Sequence, residues 1–177
     1  MPTEKRWVVK PQGDPATAAM LAAALRISPV LANLLVQRGI DTVEKADKFF
    51  KPNLADLHDP FLMKDMDKAV ERVERAVRDH EKIMVYGDYD VDGCTAVALV
   101  YKFLRQIGHK NLMFYIPDRY TEGYGISVKG IDLAARKGVG LIIALDCGIK
   151  ATEKIVYAKS KGVDFIICDH HLPAEEI

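Results

Sequence analysis

The sequence contains few cysteines and no long apolar run, and both absences exclude classes of protein. Its three cysteines are an odd number without CxxC spacing, which argues against a disulfide framework and favours reduced thiols in a cytoplasm. No apolar run reaches the roughly 18 residues that a membrane span needs. The first residues, MPTEKRWVVK, are charged and lack the apolar core of a signal peptide. We therefore expect a soluble, cytoplasmic protein with no membrane partner.

An excess of charge of one sign is also absent, since Lys and Arg together number 25 and Asp and Glu together number 25. This balance predicts no particular partner, so any binding of nucleic acid has to come from a local basic surface. With 177 residues, 49% of them hydrophobic, the chain is long enough to bury one core and to carry a small appended subdomain.

The first 60 residues have the pattern of short helices. Ser28 followed by Pro29 is typical of a helix start, with a serine N-cap and a proline in the first turn. Asp41, with Glu44 three residues later, resembles a capping box that opens the next helix. The apolar residues that this helix is expected to bury are Ala46, Phe49 and Phe50.

A turn-rich stretch, PNLADLHDP at 52–60, marks the predicted boundary between a helical N-terminal region at 1–60 and a second domain at 61–177. The second domain is predicted to begin with an amphipathic helix. Its apolar face is formed by Ala69, Val70, Val73, Ala76 and Val77. The opposite face carries charges of both signs and is expected to be solvated. Its residues are Glu71, Arg72, Glu74 and Arg75.

From residue 82 onward, short apolar runs alternate with amphipathic stretches, which indicates β-strands alternating with α-helices. The apolar runs are 83–86, 113–116, 141–145 and 165–168. Strands that alternate with helices pair in parallel, and helices then cover both faces of the sheet. The predicted fold class is therefore α/β, a mostly parallel sheet with helices on both faces, preceded by the small helical N-terminal region.

Acidic residues and histidines follow three of the four predicted strands. They are Asp88, Asp90 and Asp92 after the first strand, Asp146 after the third, and Asp169, His170 and His171 after the fourth. Because the carboxyl ends of parallel strands share one edge of the sheet, these side chains are expected to lie close together. Crowded carboxylates repel each other, and a bound divalent cation removes that conflict. Oxygen ligands with one or two imidazoles favour Mn²⁺ or Mg²⁺ over zinc.

Other interpretations of the acidic clusters are open at this point. Each strand-end aspartate could instead cap the following helix, and the two histidines could be a satisfied loop pair. The segment 90–95, DVDGCT, loosely matches the nucleophile motif of haloacid-dehalogenase-type phosphatases, although it lies past the strand and no Asp-Asp pair follows downstream. An EF-hand is excluded, because position twelve of that loop is Leu99 where a glutamate is needed.

Two cysteines next to the acids raise the alternative of a zinc site. Cys147 and Cys168 each neighbour an aspartate of the predicted site. Side chains alternate along a strand, so residues next to site residues point away from the site. Small, buried cysteines at strand ends are therefore the preferred interpretation.

Taken in order, the motifs resemble the RecJ family, a branch of the DHH phosphoesterase superfamily that is named for its Asp-His-His triplet. YGDYDVDG at 86–93, ALDCGI at 144–149 and DHH at 169–171 are similar to the three motifs of the superfamily. IPDRYTEGYG at 116–125 is similar to a segment typical of RecJ itself, and LLVQRGI followed by LHDPFLMKDM resembles its leader. The resemblance implies a DHH domain that hydrolyses phosphodiester bonds of single-stranded DNA from 5′ to 3′, in repair and recombination in a bacterial cytoplasm.

The resemblance also implies a role for each motif residue. Two divalent cations, Mn²⁺ or Mg²⁺, would be held by Asp90, Asp92, Asp146 and His170. The predicted catalytic residues are Asp88 and Asp169, in or near the coordination sphere, and His171, which would face the scissile phosphate. The predicted residues for binding the DNA strand are Arg119, Tyr124 and Gly125. The alternative for Arg119 is a surface ion pair with Asp118 or Glu122.

RecJ-type enzymes are longer than this chain, and they use a further aspartate, a second catalytic domain and often an OB-fold. We therefore expect a DHH domain that is incomplete at its C-terminal end, with weak or no activity in a chain that stops at Ile177. The family also implies a helicase and a single-strand binding protein as partners. Other members of the superfamily suggest alternative functions: an oligoribonuclease, a cyclic-dinucleotide phosphodiesterase, a pyrophosphatase, or a non-catalytic Cdc45-like assembly protein.

Overall fold

The computed structural model describes residues 6–174, which divide into two compact units, one up to Leu62 and one from Met63 onward. None of the helices in this described range has both the length and the apolar character that crossing a bilayer requires. Each unit contains buried apolar residues of its own.

The first unit consists of three short helices, α1 (Pro15–Leu25), α2 (Pro29–Val36) and α3 (Val43–Phe50), followed by 3₁₀ turns at Leu54–Asp56 and Pro60–Leu62. The predicted start of α2 is confirmed, because the Ser28 hydroxyl accepts a hydrogen bond from the backbone N–H of Leu31 at 3.3 Å. The small core of the unit is formed by Leu21, Ala32, Leu35 and Ala46.

Two details of α3 differ from the prediction. Its N-cap is Thr42, whose hydroxyl accepts from the Lys45 N–H at 3.2 Å, whereas the carboxylate of Asp41 pairs with the Lys45 ammonium at 2.6 Å. Phe49 and Phe50, in the last turn of this short helix, are about half exposed. Their rings pack edge-on against each other, with 5.3 Å between the centroids. Of the three residues expected to be buried, only Ala46 is.

The second unit alternates helices and strands. In chain order they are α4 (Met66–Arg78), β1 (Lys82–Gly87), α5 (Val91–Gln106), β2 (Leu112–Tyr115), α6 (Val128–Arg136), β3 (Val139–Leu145), α7 (Thr152–Ser160) and β4 (Asp164–Cys168). The strands form one parallel sheet in the order β2-β1-β3-β4. All four predicted strands and the α/β fold class are therefore confirmed.

Both faces of the sheet are buried, as predicted. Residues of one face, with Ile83, Val85, Leu141 and Ile143, pack against Ala76 of α4 and against Val97 and Leu104 of α5. Residues of the other face, with Met84, Tyr86, Ile142 and Ala144, pack against Ile131 and Ala134 of α6 and against Ala158 of α7. Burial on both sides explains why the strands appear in the sequence as continuous apolar runs without polar alternation.

Arg72 of α4 is not solvated, contrary to the prediction. Its side chain is 14% exposed, and its Nε and Nη2 atoms donate to the carboxylates of Asp164 and Glu81, both at 2.8 Å. A further bond reaches the carbonyl of Gly140 at 3.3 Å. Because one guanidinium donates to several acceptors at once, Arg72 ties α4 to the amino-terminal ends of β3 and β4.

A glycine sets how closely α5 approaches the end of β1. A Cβ atom at Gly93 would lie 2.5 Å from both the backbone nitrogen and the carbonyl oxygen of Asp88, which is closer than such atoms approach in proteins. The first turn of α5 therefore packs directly under the loop between β1 and α5, and this loop carries the first acidic cluster.

We predict that Gly93→Ala lowers the free energy of unfolding by about 1–3 kcal/mol, because overpacking against rigid backbone outweighs the better helix propensity of alanine. Urea denaturation followed by circular dichroism measures the change. Thr95→Ala, at an exposed position of the same helix, is the matched control and should remain close to the parent. A Gly93→Ala protein as stable as the parent would contradict the proposed close packing.

Candidate metal centre

The carboxyl ends of three parallel strands bring acidic side chains to one edge of the sheet. Asp88 follows β1, Asp146 follows β3, and Asp169 follows β4, each as the first residue beyond its strand. The register pairs Gly87 with Leu145 and Leu145 with Cys168, so the three strands end level with each other. This register places the three aspartates together at one edge of the sheet.

Asp146 adopts a backbone conformation that is unusual for a residue with a side chain. Its φ angle is +60°, in the left-handed region, and its N–H donates to the carbonyl of Cys168 at 2.8 Å. Such strain costs of order 1 kcal/mol or more and persists only where surrounding structure enforces it, often at functional sites. Asp146 does not cap a helix, since the N-cap position of α7 is Ala151.

Asp146, His170 and His171 form the one group of three or more potential metal ligands found in residues 6–174. One ligand atom from each side chain lies within 4.8 Å of the others. The Nε2 atom of His170 is 3.0 Å from a carboxylate oxygen of Asp146, whose side chain is 9% exposed. One carboxylate with two imidazoles is a donor set that suits a divalent transition ion such as Mn²⁺, so the residues present fit the predicted metal.

Asp169 orients one of the two histidines. One of its carboxylate oxygens lies 2.7 Å from Nδ1 of His171 and accepts from the His171 N–H at 3.0 Å, and the other accepts from the Ile149 N–H at 3.0 Å. Burial opposes ionisation of Asp169, but these hydrogen bonds outweigh it and lower its pKa. The same contact raises the pKa of His171. A buried carboxylate on Nδ1 leaves the Nε2 atom facing the site, as in many metal-binding histidines.

Asp88 shows the cost of crowding acids at this edge. It is 1% exposed, and among residues 6–174 its carboxylate accepts only the Tyr89 N–H, at 2.8 Å. Burial raises the pKa of Asp88, and the nearby carboxylates of Asp90 and Asp146 raise it further. A cation bound beside these groups would relieve the repulsion between them.

The two remaining acids of the first cluster lie at the start of α5. Asp90, which is not a strand-end residue, is the N-cap of this helix and accepts from the Gly93 N–H at 3.0 Å. Asp92 lies in the first turn and is exposed. Neither belongs to the group formed by Asp146 and the two histidines, and their roles as metal ligands stay predictions.

The segment between β2 and α6 (residues 116–127, called the β2–α6 loop below) carries the predicted DNA-binding residues. The Tyr124 hydroxyl lies 3.2 Å from Nε2 of His171, so this loop reaches the metal centre. Gly125 has a φ of +79°, and its carbonyl accepts from the buried Tyr86 hydroxyl at 2.9 Å. Arg119 lies over the ring of Tyr89, 5.2 Å from its centroid, and forms none of its alternative ion pairs.

Sequence reasoning missed the residue that anchors this loop. The Glu122 carboxylate is 5% exposed and accepts from the Ser127 hydroxyl at 2.6 Å, the Tyr115 hydroxyl at 2.7 Å and the Asp118 N–H at 3.1 Å. Burial opposes ionisation of Glu122, but these bonds outweigh it and lower its pKa. The only signal for it was its place in the EGYG segment, since a buried acid in a loop has no periodicity.

The cysteines take no part in the ligand group. Cys147 is fully buried behind the site, and burial, with the neighbouring acids, raises its pKa to about 12. Cys168 is exposed, contrary to the expectation that both would be buried, because β4 is an edge strand that β3 covers on one side only. The ligand group formed by residues 6–174 thus contains oxygen and nitrogen donors without sulfur, which argues against the cysteine-ligated zinc site considered above.

Comparison with known proteins identifies the class that this fold and site define. The model of the N-terminal domain of the DHH family matches residues 82–177, and the chain belongs to this family. Within it, the chain is similar to the single-stranded-DNA-specific exonuclease RecJ, which confirms the resemblance predicted from the motifs. It is 41% identical to RecJ of Bacillus subtilis over 175 residues, 99% of this chain and 22% of that protein. It is 33% identical to RecJ of Escherichia coli over 85% of this chain and 26% of that protein.

Two solved structures extend the similarity to the fold. RecJ in complex with Mn²⁺ from Thermus thermophilus has a TM-score of 0.66 and 27% identity, over 93% of this chain and 22% of that one. An exonuclease RecJ bound to manganese has a TM-score of 0.59 and 32% identity, over 64% of this chain and 29% of that one. The chain therefore spans about a quarter of the length of the relatives that it matches.

We predict that Glu122→Gln destabilises the second unit by about 1–3 kcal/mol at pH 7, because an amide cannot accept all the hydrogen bonds that converge on the carboxylate. The pKa of Glu122 is lowered by folding, so its ionised form adds stability above the ordinary value of 4.5, and this contribution disappears as pH falls through the lowered value. The difference in unfolding free energy between parent and variant should accordingly shrink below pH 4.5.

Urea denaturation at a series of pH values measures this difference. Glu74→Gln, at an exposed position of α4, provides the control and should show no comparable pH dependence. A difference that grows as the pH falls would mean that Glu122 is held in its neutral form.

Proposed function

We propose that this chain supplies the metal-binding part of the active site of an exonuclease that hydrolyses phosphodiester bonds in single-stranded DNA from 5′ to 3′ with divalent cations. The observation that carries the proposal is the convergence of Asp146, His170 and His171 within 4.8 Å at the carboxyl edge of the sheet. Relatives up to 41% identical, named as single-stranded-DNA-specific exonucleases, support the choice of substrate. The direction of digestion rests on the family resemblance.

The residues that would hold a first cation are Asp146, His170 and His171, and those near a second are Asp90 and Asp92. Manganese in two similar RecJ structures supports Mn²⁺ as the ion, and Mg²⁺ is the alternative with the same oxygen preference. When bound, such ions lower the pKa of a coordinated water and neutralise charge that develops on phosphate oxygens. Two ions at this site are part of the proposal.

The chain's own residues prepare the site for this chemistry. Asp169 holds His171 through Nδ1, so that its Nε2 edge faces the metal centre. Asp88, buried and crowded by acids, adds negative charge that strengthens the attraction for a cation. Tyr124 closes the site from the β2–α6 loop by its contact with His171. Gly125 next to Tyr124 has a positive φ of +79°, a backbone conformation that favours glycine.

A cleft next to the metal centre offers a path for the strand. It has a volume of about 450 Å³ and runs from Tyr124 and Gly125 to two lysines, Lys150 and Lys154, at the start of α7. Lys154 is partly buried and donates to the Ile126 carbonyl, and Glu153 also lines the cleft. Lys150 and Arg119 therefore supply the local basic charge that a chain without net charge needs to bind a polyanion. Single-stranded DNA fits such a combination of aromatic and basic groups.

The alternative functions are not favoured. The relatives named as single-stranded-DNA-specific exonucleases cover almost the whole chain, which argues against a pyrophosphatase, an oligoribonuclease or a cyclic-dinucleotide phosphodiesterase. A non-catalytic, Cdc45-like assembly protein would not need the potential metal ligands Asp146, His170 and His171 to lie together. The haloacid-dehalogenase interpretation lacks support because Asp90 caps α5. The family resemblance alone supports two further parts of the proposal. The protein would act in a reducing bacterial cytoplasm, and its partners would be a helicase and a single-strand binding protein.

We expect Asp146→Asn to weaken Mn²⁺ binding at least about tenfold, because it removes the charge of the one carboxylate in the ligand group. Isothermal titration with MnCl₂ in the longest natural polypeptide that contains this sequence measures the affinity. Asp67→Asn, an exposed acid of α4, is the control for a general loss of negative charge. Equal affinity of the Asp146→Asn protein and the parent would remove Asp146 from the centre.

The same substitution should reduce hydrolysis of a single-stranded DNA oligomer by about a hundredfold or more, since metal ions contribute several kcal/mol to such reactions. The assay compares single-stranded DNA, duplex DNA, short RNA and pyrophosphate with the same protein and Mn²⁺. Preferred turnover of pyrophosphate or RNA by the parent would contradict the proposed substrate, and an unchanged rate in the variant would contradict the proposed site.

A further inference from the structure

Tyr89 connects the two loops that border the metal centre. It lies between Asp88 and Asp90, and its N–H donates to the Asp88 carboxylate at 2.8 Å. Its ring contacts two residues of the β2–α6 loop: the Arg119 guanidinium carbon lies 5.2 Å from the ring centroid, and the Tyr124 ring packs edge-on at 6.4 Å. A single aromatic ring thus joins the first acidic cluster to both predicted DNA-binding side chains.

The contact with Arg119 takes the place of an ion pair. The negative face of an aromatic ring attracts a guanidinium within about 6 Å of its centroid, and the attraction fixes orientation without neutralising the charge. The two nearby carboxylates accept from other donors, which in Asp118 all bind the Oδ1 atom. Asp118 accepts the backbone N–H groups of Tyr120 and Thr121 at 3.0 and 2.8 Å, and Glu122 receives the three anchoring bonds described above.

The consequence is a cation held in place and yet unneutralised. Among residues 6–174, Arg119 forms no ion pair with a carboxylate, so its charge stays available for an external anion. The same ring packs against Tyr124, whose hydroxyl lies 3.2 Å from His171. Arg119, Tyr89, Tyr124 and His171 therefore form a continuous series of contacts that ends at the metal centre.

We propose that Tyr89 is a positioning residue that orients Arg119 toward a DNA phosphate next to the metal centre. This inference rests on the proposed function and deepens it, because it says how the loop that grips the strand is kept in register with the loop that carries the acids. The contacts of this side chain with Arg119 and Tyr124 are made by its aromatic ring. The Tyr89 hydroxyl makes no hydrogen bond within the described part of the chain.

The kinetic test compares Tyr89→Leu with Tyr89→Phe in the longest natural polypeptide that contains this sequence, acting on a single-stranded DNA oligomer with Mn²⁺. Losing an exposed cation–π contact corresponds to about a two- to fivefold change in affinity, so Tyr89→Leu should raise KM by about that factor and leave kcat nearly unchanged. Tyr89→Phe keeps the ring and should match the parent. Equal KM values for the parent and Tyr89→Leu would overturn the proposal, as would a defect in Tyr89→Phe as large as that in Tyr89→Leu.

A double-mutant cycle shows whether Tyr89 acts through Arg119. Once Arg119→Gln has removed the guanidinium, adding Tyr89→Leu should not raise KM further. If Tyr89→Leu raises KM by the same factor with and without Arg119→Gln, the two residues act independently and the positioning role is wrong. Should Tyr89→Leu fail to fold, Tyr89→Gln replaces it in the cycle, because a polar, unbranched side chain suits this half-buried position.

A readout independent of activity separates this inference from the proposed function. The ring current of Tyr89 should shift the NMR signal of the Arg119 Nε–H group, and the shift should disappear in Tyr89→Leu and persist in Tyr89→Phe. If the parent does not cleave single-stranded DNA while the shift follows this pattern, the proposed function fails and the contact stands. If the parent cleaves the DNA but the signal does not depend on the ring, the positioning role fails.

Discussion

The candidate site of the second unit depends on one constraint, which is that several carboxylates lie close together at one edge of a parallel sheet. Asp88, Asp146 and Asp169 follow three strands that end level, and all three are largely buried. Each meets the repulsion differently. Asp169 is surrounded by hydrogen-bond donors, Asp146 lies beside an imidazole, and Asp88 retains a raised pKa. Such an edge is costly without a cation and favourable with one, which is the reason to regard it as a binding site.

The loop that borders this edge is anchored by buried polar groups, in addition to the core residue Ile126 near its end. Glu122 collects donors from β2, from the loop itself and from the start of α6, and the hydroxyl of Tyr86 bonds both Gly125 and Ser127. Buried polar groups that are fully satisfied specify one arrangement, because each alternative leaves a donor or an acceptor unpaired. Stability of the loop and orientation of Tyr124 over the metal centre therefore depend on the same hydrogen bonds.

Sequence reasoning succeeded where local pattern and global fold agree. The four strands were predicted because strands buried on both faces are continuous apolar runs, and Ser28-Pro29 marked a helix start because capping is a local interaction. It failed where partners come from distant parts of the chain. Arg72 was expected in solvent, yet Glu81 and Asp164 bind it, and Asp164 is 92 residues away.

The sequence by itself determined the fold class and the family and placed acids and histidines after three of the strands, because the alternation of strands and helices and the position of each residue after its strand follow from periodicity and motif. Only the tertiary structure decided which of these side chains group as potential metal ligands, which one caps a helix and which one orients a histidine. The left-handed backbone of Asp146, the use of Asp90 as a helix cap and the contact of Asp169 with His171 all depend on dihedral angles and neighbours. Periodicity predicts neither the dihedral angles nor the neighbours of these residues. It specifies the place of a residue along a helix or strand, but not the conformation of residues that follow the end of one.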